Sequence, residues 1–239
     1  PSVKNFGEIE FWFAMIKIVA ICALILVGIV MVATSFTAPN GSHAQIANLW
    51  EHGGFFPNGV FGFLGAFQIA IFAFMGSELV GTTAAETQNP TVTLPKAINS
   101  VPVRIIIFYV GALLVILMVN PWNEIDPAKS PFVTMFSLAG IGIAAHIVNA
   151  VVLTSATSSA NSGIFSTSRM VYGLAQEGDA PKSLGVLSAQ GVPRNALFLT
   201  STLLLSSIVL LYAGDSIIGA FTLVTTMAAV LVIFVWSMI

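Results

Sequence analysis

Apolar runs long enough to cross a bilayer alternate with short polar stretches along the whole chain, and their spacing predicts about six membrane-spanning helices. At about 20 apolar residues per crossing, the first span covers residues 11–33 and is interrupted only by Lys17. The loop that follows is polar and rich in turn formers: Pro39, Asn40, Gly41, Gly53, Gly54 and Pro57. A second span covers residues 60–83. Residues 86–102 then read as a connector, because Pro90, Pro95 and Pro102 argue against a continuous helix. A third span covers residues 103–119 and closes at the polar stretch 120–127. The last two spans cover residues 195–212 and 217–239, joined by a short turn at 213–215.

Residues 131–170 fit either two crossings or one crossing with an interfacial helix, and charge placement decides between them. A single crossing puts Lys4, Lys96, Arg104, Arg169, Lys182 and Arg194 on one side and only Lys129 on the other. Six of the seven cations flanking the spans then share a side, which the positive-inside rule makes cytoplasmic. The expectation is an external interfacial helix at 132–138 and one long crossing at 141–172. Residues 1–10, 84–102 and 173–194 are then cytoplasmic.

Composition supports that reading. Of 239 residues, 56% are hydrophobic and 8% charged, against about 25% charged in soluble domains. There is no basic block with interleaved aromatics, so nucleic-acid binding has no footing. Cys22, the only cysteine, lies inside an apolar run and leaves no possibility of an intrachain disulfide or a cysteine-based metal cluster. The serines lack histidine and aspartate partners at comparable depth, and no two histidines share a helix at metal-ligand spacing. No enzyme activity and no cofactor are expected. The chain begins at Pro1 and stops within an apolar run, which reads as a fragment; its first hydrophobic segment lacks the flanks of a signal peptide.

The second span carries the most informative chemistry. Phe72, Ala73, Phe74, Met75, Gly76, Ser77 and Glu78 put a carboxylate beside small residues inside a membrane segment. An ionisable group there costs at least about 2.5 kcal/mol on insertion scales and usually faces a protein interior or a watery path. Glycine and serine weaken helical continuity, and irregular backbone at membrane depth survives only where it lines a cavity or is buried. The stretch is therefore expected to be a broken helix whose carbonyls attract a cation such as an ammonium group. Glu78 as a structural group bonded to a neighbouring helix remains the alternative. Lys17 either snorkels to the membrane surface or faces the interior and exchanges protons as a coupling group. The small, polar run 154–163 reads as a close helix-packing face or, at Ser158 and Ser159, as lining of a translocation path. Thr225 and Thr226 read as helix-packing hydroxyls.

Three motifs in order, at residues 11–17, at 72–86, and at 161–170 with 174–181, resemble bacterial amino acid permeases of the amino acid-polyamine-organocation superfamily. The likeness covers nearly the whole chain. It implies an all-α, polytopic membrane fold with two inverted five-helix repeats, of which this chain would be helices five to ten. Residues 11–33 would end the first repeat, and residues 60–239 would form the second inverted repeat, within one transmembrane domain. By the same resemblance, carbonyls around Phe72, Ala73 and Met75 hold the substrate's amino group, and Phe72 stands where the family has a gating aromatic. Glu78 matches the family acid linked to proton coupling. Lys17 matches a lysine that stands in place of sodium. The implied function is proton-coupled import of small neutral amino acids of the D-serine, D-alanine and glycine class across the inner membrane by alternating access. A permease for proline, aromatic amino acids or GABA, or a membrane module that binds an amino acid without moving it, are the alternatives. The helix-one break that would hold the substrate carboxylate lies outside this chain, so the chain by itself is expected not to transport.

Overall fold

The computed structural model describes residues 3–76, 87, 89–213 and 217–238. Eight α-helices are formed by these residues: α1 (Val3–Ala33), α2 (Gly59–Phe74), α3 (Pro90–Arg104), α4 (Gly111–Val119), α5 (Pro131–Leu138), α6 (Gly142–Glu177), α7 (Arg194–Ala213) and α8 (Ile217–Ser237). Four stretches among them are long and apolar enough to cross a membrane: Gly7–Ala33, Pro90–Val119, Gly142–Glu177 and Ile218–Ser237. Gly59–Phe74 and Arg194–Val209 are shorter apolar helices. A separate short helix, α5, stands where one was expected near 132–138, and a single long helix, α6, of sufficient length and apolarity to cross, follows it. The turn expected at 213–215 falls mostly outside the described residues.

One expectation is overturned. Residues 90–102 are not a broken connector; they are the start of a helical stretch that runs to Val119. Pro90 opens α3, where its missing N–H would have had no partner anyway, and the Asn89 carbonyl accepts the N–H groups of Val92 and Thr93, each at 3.0 Å. Pro95 and Pro102 lie inside the helix. Past Pro102 the chain widens into a π-helical turn at Ile105–Val110, and the Gly111 N–H reaches back five residues to the Ile106 carbonyl. Local π adjustment is one of the ways membrane helices absorb proline. Length and apolarity outweighed the proline penalty.

The chain divides into two compact units. The first comprises Val3–Ala66 and Asn99–Ala156. Its core is made by α1, α4, α5 and the start of α6 through Leu24, Met31, Val115, Ile116, Val119, Met135, Phe136 and Val148, all buried. Close approach of α1 to α4 depends on Gly28: a Cβ there would stand 1.9 Å from Val115 Cγ1. The polar loop 34–58 is ordered against the end of α4. Asn48, 4% exposed, donates from Nδ2 to the carbonyls of His43 and Met118, both at 2.8 Å, and so occupies a helix-end carbonyl that α4 itself leaves over. The Ser42 hydroxyl donates to Glu124 Oε2 at 2.8 Å, and Trp122 Nε1 donates to the His52 carbonyl at 2.9 Å.

The second unit comprises Phe67–Ile98 and Thr157–Ile239. Among the described residues its buried side chains are mostly small or hydroxylated: Ser158, Ser166, Ser168, Ala175, Ala196, Thr200, Thr225 and Ala229, with Pro193 beside them. Small residues let backbones approach closely where lipid gives no hydrophobic drive for helices to associate. The turn after α6 is tied down by Gln176 Nε2, donating to the Gly185 carbonyl at 2.6 Å, and by Asn195 Nδ2, donating to Ser183 at 2.7 Å. In both units large apolar side chains remain exposed, among them Phe61, Ile143 and Phe198. Hydrocarbon, which asks only that backbone polar groups be paired internally, suits such a surface.

Candidate functional site

Every side chain of α2 but one is apolar, yet the helix stops at Phe74. Its 16 residues span about 24 Å at 1.5 Å per residue, short of a hydrocarbon core of about 30 Å. The end is local in origin. The Met75 N–H closes a tight turn onto the Phe72 carbonyl at 3.2 Å, and Gly76 follows with φ +96°, a left-handed conformation that glycine adopts without a Cβ clash and that commonly terminates helices. An apolar helix thus presents its carbonyl end, the negative end of its dipole, part of the way along a run of membrane-spanning composition.

The residues predicted from the sequence differ in setting. Phe72 is half-buried, and its ring meets Phe221 of α8 edge-on, with centroids 6.5 Å apart and planes at 85°. Ala73 and Phe74 are exposed, while Met75 and Gly76 are half-buried. Ser77 and Glu78 lie outside the described residues. Lys17 is half-buried on α1, in the first unit. Ser158 and Ser159, in the second unit, face apart: Ser158 is buried and Ser159 exposed, as neighbours about 100° apart around a helix must be when one is packed. Thr225 is buried, and its hydroxyl donates to the Phe221 carbonyl at 2.9 Å.

Two residues near the helix end were not singled out from the sequence. Gln68, the single polar side chain of α2, donates from Nε2 to the Thr226 hydroxyl on α8. Phe221 is one aromatic among the 18 phenylalanines of the chain. A lone glutamine in an otherwise apolar membrane helix is the signal that points to the first; nothing in the pattern singles out the second.

The sequence matches the amino acid permease family over residues 1–239. The D-serine/D-alanine/glycine transporter of Escherichia coli (strain K12) is 59% identical over 238 residues, 100% of this chain and 51% of the relative. The amino-acid permease AapA of Bacillus subtilis (strain 168) is 53% identical over 236 residues, 99% of this chain and 50% of the relative. The aromatic amino acid transport protein AroP of Escherichia coli O6:H1 is 41% identical over 238 residues, 100% of this chain and 51% of the relative. The chain thus spans about half the length of the curated relatives it matches. No solved structure matches.

Proposed function

We propose that this chain, which belongs to the amino acid permease family, supplies one half of the substrate site of a proton-coupled transporter that imports small neutral amino acids across the bacterial inner membrane. The observation that carries this reading is the end of α2 at Phe74 inside an apolar run. A helix C-terminus at membrane depth offers carbonyls and a negative dipole end to a cation, and an amino acid's ammonium group is such a cation. Backbone carbonyls of Phe72, Ala73 and Met75 would hold it, with Phe74, Gly76 and Ser77 completing the stretch. Phe72 would close the site from solvent. Lys17 and Glu78 would exchange the coupling proton, and Ser159, with Ser158 behind it, would line the path. Alternating access then consists of opening this site to one side of the membrane and afterwards to the other.

The substrate class rests on the 59% identity to a transporter of D-serine, D-alanine and glycine. The aromatic relative at 41% supports the rival class. Sidedness rests on charge: Pro90–Val119, at 30 residues, is about 45 Å long at 1.5 Å per residue, so its first turns, with Lys96, would emerge on the cytoplasmic side with Lys182 and Arg194.

The test is uptake of labelled D-alanine by proteoliposomes holding the intact protein under an imposed proton gradient, with unlabelled amino acids of both enantiomers as competitors. Uphill accumulation, inhibited by D-serine and glycine and not by phenylalanine, is expected. Accumulation competed only by phenylalanine or tyrosine moves the substrate to the aromatic class. Saturable binding without counterflow sinks transport altogether.

A further inference from the structure

The contact between α2 and α8 does more than fill space. Gln68 donates to Thr226, and the same threonine hydroxyl donates onward to the Thr222 carbonyl at 2.6 Å, so the amide is held by a hydroxyl that is itself oriented. One helical turn further along α2, Phe72 meets Phe221. Moving forward by four residues on α2 moves back by five on α8, so the two helices run antiparallel here, and α8 touches α2 through these two side-chain contacts, just before Met75 and Gly76.

Apolar rings alone allow neighbouring helices to settle at several rotations and registers. A single polar pair in an apolar seam selects one, because every other register strands the amide in hydrocarbon. We propose that Gln68 and Thr226 are positioning residues: their hydrogen bond fixes the rotation of α2 about its axis and so aims the helix end at Phe72–Gly76 toward the substrate's ammonium group. This rests on the transporter reading. Neither side chain touches the substrate; both act through the backbone of residues 72–76. The consequence is that α8 shares in setting substrate affinity without contributing to the site.

The experiment uses the intact protein in proteoliposomes and labelled D-alanine. Gln68→Leu and Thr226→Val should each raise KM about threefold to tenfold, the range of one interhelical hydrogen bond in a membrane, with Vmax changed by less than about twofold. The double variant should be no worse than either single, and Thr226→Ser, which keeps the hydroxyl, should restore wild-type KM. Unchanged KM in the singles, additive losses in the double, or a fall in Vmax alone would each overturn the proposal, since a purely structural role does not predict the KM effect or the serine rescue. A second measurement stands apart from activity. Gln68→Cys with Thr226→Cys, in a Cys22→Ser background, should be joined by a short bis-methanethiosulfonate in native membranes, and absence of the crosslink also overturns the proposal. Crosslinking in a protein that fails to accumulate D-alanine at all leaves the latch in place and removes the transporter reading instead.

Discussion

Gly28 is where α1 and α4 come closest, and adding one methyl there tests whether the first unit is held by that approach. In Gly28→Ala the new Cβ would lie 1.9 Å from Val115 Cγ1 and 2.5 Å from Met135 Cε, where real contacts stay above 3.0 Å. Met135 can swing its terminal methyl aside. Val115 cannot, because a β-branched side chain in a helix has essentially one χ1 rotamer and this one is 6% exposed. The helices must therefore spread, and overpacking of this kind costs about 1–3 kcal/mol. Against that, alanine is better than glycine in a helix interior by about 0.5–1 kcal/mol. The steric effect outweighs the propensity gain, for a net loss of up to about 2.5 kcal/mol. Equilibrium unfolding of the detergent-solubilised protein reads this directly. Val115→Ala removes the offending Cγ1, so in that background Gly28→Ala should cost less than about 0.5 kcal/mol, a coupling expected of residues in contact. Gly173→Ala, where no described heavy atom lies within 4 Å of the new Cβ, should instead be neutral or stabilising. A Gly28→Ala protein as stable as the wild type, or losses that simply add to those of Val115→Ala, would refute the steric argument.

Four further outcomes are expected. Asn48→Ala removes a donor from the carbonyls of His43 and Met118; Met118 keeps the Gln45 N–H at 3.0 Å, so the loss falls mainly on His43 and should cost about 1–3 kcal/mol, with faster amide exchange at 44–50, and Asn48→Asp, unable to donate when ionised, should be no better. Asp126 accepts the Ala128 N–H at 2.9 Å, which is the main cause of its carboxyl lying below the usual aspartate range, opposed by desolvation and aided by Lys129 at 3.4 Å. A lowered folded pKa stabilises above the unfolded value and is lost as pH falls through the folded one; any difference in melting temperature between wild type and Asp126→Asn should thus be flat from about pH 5 to 8 and shrink below about pH 4. Lys17→Met should abolish proton-driven accumulation while leaving some exchange, and unchanged uphill uptake would remove Lys17 from coupling. Glu78→Gln should alter the pH profile of uptake; an identical profile would return Glu78 to a structural role.

What could be read in advance follows from how each feature is encoded. Spans α1, α6 and α8 were legible because membrane insertion is decided by summed hydropathy over about 20 residues, a quantity that tolerates isolated exceptions such as Lys17. The same tolerance explains the misreading of 90–102: each proline argued for a break, whereas the helical run Pro90–Val119 absorbs them with a first-turn proline and a π turn. The end of α2 was legible as weakness around Gly76, since only glycine takes φ +96° without strain. The loop 34–58 was not, because Asn48, Ser42 and Trp122 find partners in a segment distant in sequence, and composition reports turn formers without reporting what they bond to.

Gln68 shows the general form of that limit. Hydropathy assigns it to a span and then has nothing more to say, because one amide barely lowers the mean of α2. Yet in hydrocarbon a lone amide is the side chain with the strongest demand for a particular neighbour, and so it constrains the helix end more than any of the phenylalanines around it. In an apolar helix the information about position lies in the exceptions to the pattern: Lys17 on α1, Gln68 on α2 and Thr226 on α8. Substitutions at such positions should change KM or coupling at little cost in stability, whereas substitutions that preserve hydropathy but alter volume, such as Gly28→Ala, should cost stability and leave KM and coupling unchanged.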